Sequence, residues 1–177
     1  MSIEFIETPI ENLLICNSNL HKDERGTFRK LYSSKLKEKN LVFGNIVDIN
    51  VSHNSYSGTV RGLHYQIGQF TETKIVSCVK GAIYDVAVDL RNSSSTKFSY
   101  FGLNLTEESN SSLIIPPGFA HGFQTLTDDT IVHYLVDNEY SLENQRGINP
   151  LEPKINIPWP LKVSRISRQD LNWPALD

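Results

Sequence analysis

The stretch Arg61-Gly62-Leu63-His64-Tyr65-Gln66 sets a histidine in an apolar-rich run beside an arginine, with Lys74 a short way on. A base, an anion clamp and a cation close together are the ingredients of proton abstraction beside a carbonyl. Two further titratable groups stand out: Tyr134 in the run Ile131-Val132-His133-Tyr134-Leu135, and Asp170 near the C-terminus. Inversion next to a ketone needs a base that titrates near neutrality, a donor at the developing enolate oxygen, and an acid on the opposite face. Histidine, lysine and tyrosine suit those three roles, and a carboxylate such as Asp170 can orient the histidine. The competing reading for each is a satisfied polar position in a strand, because a lone histidine in a half-buried strand is more often a core residue than a catalyst.

The elements that must position these groups are strands. Val60 to Gln66 alternates so that Gly62, His64 and Gln66 share one side, and Arg61, Leu63 and Tyr65 the other. His64 then lacks the aliphatic neighbours that a core histidine would have. A first strand is expected at Leu13-Leu14-Ile15, a charged loop at Asp23-Glu24-Arg25-Gly26-Thr27-Phe28, and a short surface helix over 33–39 behind a capping serine. In the loop, Arg25 beside a glycine and Phe28 can hold a phosphate and cover a flat ring. Leu41 to Ser55 predicts a strand whose polar positions, Asp48 and Asn50, face something. Thr73–Val79 and Ala82–Leu90 flank a turn at Lys80-Gly81, with Tyr84, Val86, Val88 and Leu90 on one face and Asp85 and Asp89 opposite. Strands at Phe98–Leu105, Leu113–Ile115, Phe119–Thr127 and Thr130–Val136 complete a series of roughly eight or nine, which indicates an all-β antiparallel sandwich or barrel well suited to a jelly roll. Pro150, Pro153, Pro158, Pro160 and Pro174 force an irregular tail that lies across the barrel, docked by Trp159 and Trp173, with a capped turn near Ser167.

At 177 residues the chain has the size of one domain. With 39% hydrophobic and 21% charged residues it reads as globular, and a net charge of −3 offers no general attraction to nucleic acid or anionic lipid. Cys16 and Cys78 lack metal-type or redox-type spacing, which argues against a disulfide framework or zinc site and for a reducing compartment. The segment Met1 to Glu7 carries two acids and no basic region before a long apolar run, so neither a signal peptide nor a membrane span is expected, and the expected location is cytoplasmic. The main rival chemistry is a metal site, since Pro117-Gly118-Phe119-Ala120-His121 looks like half of a cupin metal motif. The other half is missing, and no ligand set assembles from His21, His53, His64, His121 and His133 by spacing.

Taken in order, Asp23 to Phe28, Arg61 to Gln66, Lys74-Ile75-Val76, Asp85 to Arg91, Ile115-Pro116-Pro117-Gly118-Phe119-Ala120-His121-Gly122-Phe123 and Ile157-Pro158-Trp159-Pro160 resemble the dTDP-4-dehydrorhamnose 3,5-epimerase family. The similarity runs from about Asp23 to Asp170. It implies a jelly-roll homodimer without metal or other cofactor, acting on carbons beside the C4 ketone of a nucleotide-diphosphate 4-keto-6-deoxysugar. By position His64 matches the family's base, Asp170 its partner, Lys74 the residue at the enolate oxygen and Tyr134 the acid on the far face. Arg61, His121 and Tyr140 fall where the family holds sugar and diphosphate, Asn50 belongs with the substrate-binding set, and Arg25 and Phe28 fall in the segment that reaches the neighbouring subunit's nucleotide.

Three positions depart from the family pattern: Lys30, Asp48 and Gln169 stand where it has glutamate, glutamine and lysine. These lie around the base, and exchanging donors for acceptors there bears on thymine against cytosine, whose hydrogen-bonding edges are reversed. A CDP-sugar is the corresponding alternative to a dTDP-sugar, against drift at a solvent-exposed edge. Two other functions are compatible with the residues: a 3,4-ketoisomerase of the same fold, and a non-catalytic nucleotide-sugar binding module.

Overall fold

The computed structural model describes residues 3–34 and 44–176. Among the described residues, thirteen strands, a 3-10 turn and one short α-helix follow in chain order: β1 (Ile3–Glu7), β2 (Leu14–Ser18), β3 (His21–Asp23), β4 (Gly26–Phe28), β5 (Asp48–Asn54), β6 (Val60–Gln66), the 3-10 turn Gly68–Phe70, β7 (Lys74–Lys80), β8 (Ala82–Asp89), β9 (Tyr100–Thr106), β10 (Ser111–Ile115), β11 (Phe119–Thr125), β12 (Thr130–Val136), β13 (Gln145–Gly147) and α1 (Arg168–Leu171). They form a six-stranded sheet in the order β1-β2-β10-β7-β12-β5, a five-stranded sheet β13-β6-β11-β8-β9, and the small hairpin β3-β4. Pairing between these strands is antiparallel, as the jelly-roll expectation requires; an isolated bridge from Thr59 to Arg165 in the tail is parallel. No helix among the described residues is long and apolar enough to cross a membrane.

Period-two alternation assigns the side chains to layers. Val76 and Cys78 of β7, Ile83 and Ala87 of β8, Leu113 and Ile115 of β10, Phe119 and Phe123 of β11 and Val132 of β12 meet between the sheets as the main core. The intervening residues face outward yet are also covered. Ile75, Ile114 and Leu135 lie under Phe5, Tyr32 and Ile46, and Leu63, Val86, Val88 and Ala120 lie under Ile148, Ile155 and Trp159 from the C-terminal segment. The prolines keep that segment free of long helix or strand, and Trp159 anchors it by packing edge-on to Tyr84 at 6.2 Å and donating from Nε1 to the Pro150 carbonyl at 2.9 Å. The capped turn near Ser167 is α1, whose N-terminal Ser167 Oγ accepts from the Asp170 amide at 2.9 Å.

Several expectations are corrected. The first strand is β1, before Leu13, and it pairs with β2. Asp23 to Phe28 belongs to the hairpin β3-β4 rather than to an open loop, because the Arg25 amide and guanidinium both bond the Asp23 carboxylate and close a tight turn. The strand expected from Leu41 begins at Asp48; residues 44–47 are not in a strand, and 41–43 lie outside the described residues. The helix expected over 33–39 also lies outside them from residue 35 onward. The short edge strand β13 gives too little pattern over three residues to be read from sequence.

The alternation read for β6 holds for His64 and Gln66 but fails for Arg61. In the β6–β11 pairing His64 stands opposite His121 and Arg61 opposite Phe123, so a three-residue step on β6 spans a two-residue step on β11. The extra residue is a bulge. It is accommodated at Gly62, where φ is +112° and a Cβ would lie 2.6 Å from the Gly122 Cα and the His121 carbonyl oxygen. The slip turns Arg61 to the same inner side as His64.

Candidate active site

The residues with chemistry converge between the sheets: alternation aims those on the strands inward, the bulge turns Arg61 to the same side, and α1 brings Asp170 to His64. On the six-stranded sheet, Lys74 is two residues from the core residue Val76, and Tyr134 two from Val132. Asn50 and Asp48 of β5 stand opposite Tyr134 and Val136 in register, on the same inner side. On the facing sheet, His64 and His121 are cross-strand partners. A cavity of about 320 Å³ is lined by Arg61, His64, Lys74, His121, Tyr134 and Asp170, among others. A second space of about 350 Å³ shares His64, Lys74 and Tyr134 and extends past Asp48, Asn50 and Tyr140. The two are lobes of one site, with the base, the cation and the phenol at their junction.

His64 Nε2 lies 2.6 Å from Asp170 Oδ1. Burial, the largest influence on the Asp170 carboxyl, raises its pKa; it is outweighed by the hydrogen bond and charge of His64 and by bonds from Ser167 and the Gly62 amide, so the net shift is downward from 3.8. Asp170 is therefore an ionised acceptor, the shared proton belongs to Nε2, and the lone pair of His64 is left at Nδ1. The imidazole is one-third exposed and its partner nearly buried, which suits a base that must reach a substrate while its orienting group stays dry. Trp173 packs edge-on to the ring, with centroids 6.3 Å apart, against Gly147, where any Cβ would collide with the indole.

Lys74 Nζ pairs with Glu72 Oε1 at 3.0 Å, both side chains nearly buried. The second Glu72 oxygen accepts from Gln66 Nε2 at 3.3 Å, and Gln66 Oε1 accepts from the Ser141 amide at 2.7 Å. The network fixes the ammonium from below. Burial is the chief influence on Tyr134, and it raises the phenol above its usual 10.0; Arg61 draws it down and Glu72 adds to the rise. Tyr134 thus holds its proton across the neutral range, as a general acid must. Arg61 is held by Nε donating to Asn54 Oδ1 at 2.6 Å.

Of the residues singled out from sequence, the structure brings together His64, Lys74, Tyr134, Asp170, Arg61, His121 and Gln169 in the first lobe, and Asp48, Asn50 and Tyr140 in the second. Arg25 and Phe28 are not among them; they line a separate depression on the β3-β4 hairpin. Lys30 lines neither lobe. Sequence reasoning missed Glu72, Ser52, Ser167 and Gln145, which also line the cavity. Glu72 precedes β7, outside the strand, so strand parity does not place it. Gln145 sits on β13, which left no signal. Among the described residues no three His, Cys, Asp or Glu side chains come together as a metal site.

Residues 7–177 match the model of the dTDP-4-dehydrorhamnose 3,5-epimerase family. The Shigella flexneri dTDP-4-dehydrorhamnose 3,5-epimerase is 40% identical over 169 residues, covering 94% of this chain and 92% of that protein. The crystal structure of the Bacillus anthracis enzyme of that name, with TDP and pyrophosphate bound, superposes with a TM-score of 0.93 at 38% identity over 99% of this chain and 100% of its own. A Legionella pneumophila relative, solved in complex with dTDP-4-keto-L-rhamnose, gives a TM-score of 0.91 at 36% identity over 98% of this chain and 93% of its own.

Proposed function

Because this chain belongs to the dTDP-4-dehydrorhamnose 3,5-epimerase family, we propose that it epimerises a dTDP-4-keto-6-deoxysugar at the carbons flanking the C4 ketone, with His64, Asp170, Lys74 and Tyr134 as its catalytic set. The observation that carries this is the meeting of one oriented base, one cation and one protonated phenol at the junction of two lobes. His64 Nδ1 takes the proton alpha to the ketone, and the electrons of the broken C–H bond move to the C4 oxygen as an enolate. Lys74 Nζ donates to that oxygen. Tyr134, which projects from the opposite sheet, returns a proton to the other face of the ring, and the ketone re-forms. Arg61 and His121 serve the sugar and diphosphate in the first lobe, while Asn50, Asp48 and Tyr140 serve the nucleotide side in the second.

The nucleotide proposed is dTDP. Its support is the dTDP-4-keto-L-rhamnose bound by the Legionella pneumophila relative; of the three departures from the family pattern, Lys30 lines neither lobe, while Gln169 lines the first and Asp48 the second. The working unit proposed is a homodimer. Its support is the edge strand β5 and its approach, where Val47, Ile49 and Val51 are 45%, 63% and 60% exposed, and Phe28, 62% exposed on a hairpin away from its own chain's cavity. In the dimer Arg25 and Phe28 would complete the partner's nucleotide lobe.

NMR of the product from dTDP- and CDP-4-keto-6-deoxyglucose tests the function. Inversion at C5, or at C3 and C5, with faster turnover of the dTDP-sugar is the expected result. Movement of the carbonyl to C3 would instead assign a ketoisomerase, and turnover of neither sugar would leave a binding module.

A further inference from the structure

A second histidine–aspartate pair lies beside the first. His121 Nε2 is 2.8 Å from Asp85 Oδ1, His121 is nearly buried and Asp85 is completely so. Asp85 sits in the middle of β8 on its inner face, opposite Phe123, and Ala87 stands opposite His121. The other carboxylate oxygen, Oδ2, makes no hydrogen bond among the described residues. A fully buried carboxylate with half its acceptors unmet destabilises a core relative to an apolar residue of similar size. Stability therefore does not account for an aspartate here. Among the described residues its one polar side-chain contact is the His121 ring.

We propose that Asp85 is a positioning residue for the reaction: it accepts the Nε2 proton of His121 and so locks that ring with Nδ1 free to accept a hydrogen bond from a hydroxyl of the sugar. The proposal rests on the sugar-epimerase reading of the cavity. A carboxylate can only accept, so the proton of the pair resides on Nε2, and a neutral imidazole then presents a lone pair at Nδ1. His121 lines the catalytic lobe, and its Nδ1 makes no hydrogen bond among the described residues. The cations facing the same space, Arg61 and Lys74, are donors only. A sugar carries hydroxyl protons as well as oxygens, and His64 Nδ1 is reserved for the carbon acid. His121 supplies an acceptor that the cations cannot. The device repeats that of His64 and Asp170, one strand over and in register.

The test is the tautomer of His121, read from the ring nitrogens by NMR of 15N-histidine-labelled protein, together with kinetics of Asp85→Asn, His121→Asn and the double variant. In the wild type the proton is expected on Nε2. An asparagine amide can donate to Nε2 instead, so D85N is expected to move the proton to Nδ1, as the corresponding change does in serine-protease triads. KM should rise and kcat/KM fall roughly tenfold or more, with the melting temperature nearly unchanged. The double variant should be no worse than H121N, since Asp85 acts through His121. A proton on Nδ1 in the wild type, D85N kinetics within twofold of wild type, or multiplying losses in the double variant would overturn the proposal. If D85N does not fold, the wild-type tautomer still decides. If the wild type turns over no 4-keto sugar, the epimerase reading fails on that control while the tautomer still reports on Asp85.

Discussion

His64 and Tyr134 come from opposite sheets and share both lobes of the cavity, so a planar enolate held between them would meet a base on one face and an acid on the other. That geometry separates their roles experimentally. With Tyr134→Phe the base remains, so a proton can leave and return on the face from which it came, but inversion is lost. We expect solvent deuterium to enter unreacted substrate while epimerised product forms about 10²–10⁴-fold more slowly. Equal loss of exchange and product would instead assign Tyr134 to deprotonation. The roles proposed for Lys74 and Asp170 follow from residue type, and each depends on a partner. Lys74 is steadied by Glu72, and Asp170 reaches the ring because Ser167 caps the single turn that carries it.

At the level of elements, the site depends on one irregularity. Strict alternation on β6 would send Arg61 to the face that carries Leu63, under the C-terminal segment; the bulge at Gly62 brings it round to the cavity. Gly62→Ala would place a methyl group 2.6 Å from β11 backbone at a φ of +112°. We expect a loss of about 2–4 kcal/mol in stability, seen as a lower melting temperature, and a fall in kcat/KM as Arg61 and His64 are displaced. An unchanged melting temperature would show that the strand pairing accommodates the methyl. Period-two patterning made β6, β7, β8 and β12 legible in the sequence to within a residue or so, and with them His64, Lys74 and Tyr134. It could not show the bulge, because a slip in pairing is a property of two strands and is written in neither alone. Asp85 illustrates the same limit. The alternation put it opposite Tyr84, Val86 and Val88, but only the second sheet and the tail reveal that both faces are buried and that its side is the barrel interior. The hairpin β3-β4 and the edge strands β1 and β13 are too short or too polar for a periodic signal.

For the whole molecule, the tail and the β5 edge do different work. The tail covers one sheet and brings Asp170 and Trp173 against His64, so the tail contributes to the candidate site as well as to the core. The β5 edge leaves Ile49 and Val51 uncovered in a single chain. Ile49→Asp combined with Val51→Asp should give a species sedimenting at the 20.1 kDa of one chain where the wild type sediments at twice that mass, with weaker binding of dTDP because Arg25 and Phe28 no longer reach a partner. A wild type that sediments as one chain would contradict the dimer. The catalytic account as a whole comes down to whether His64 is the group that removes the proton. Its most direct test is solvent exchange by NMR, with dTDP-4-keto-6-deoxyglucose in deuterium oxide. Wild-type protein should introduce deuterium at C5, and His64→Ala, with an unchanged melting curve, should introduce none above the protein-free rate. Incorporation by His64→Ala at the wild-type rate would show that another group is the base.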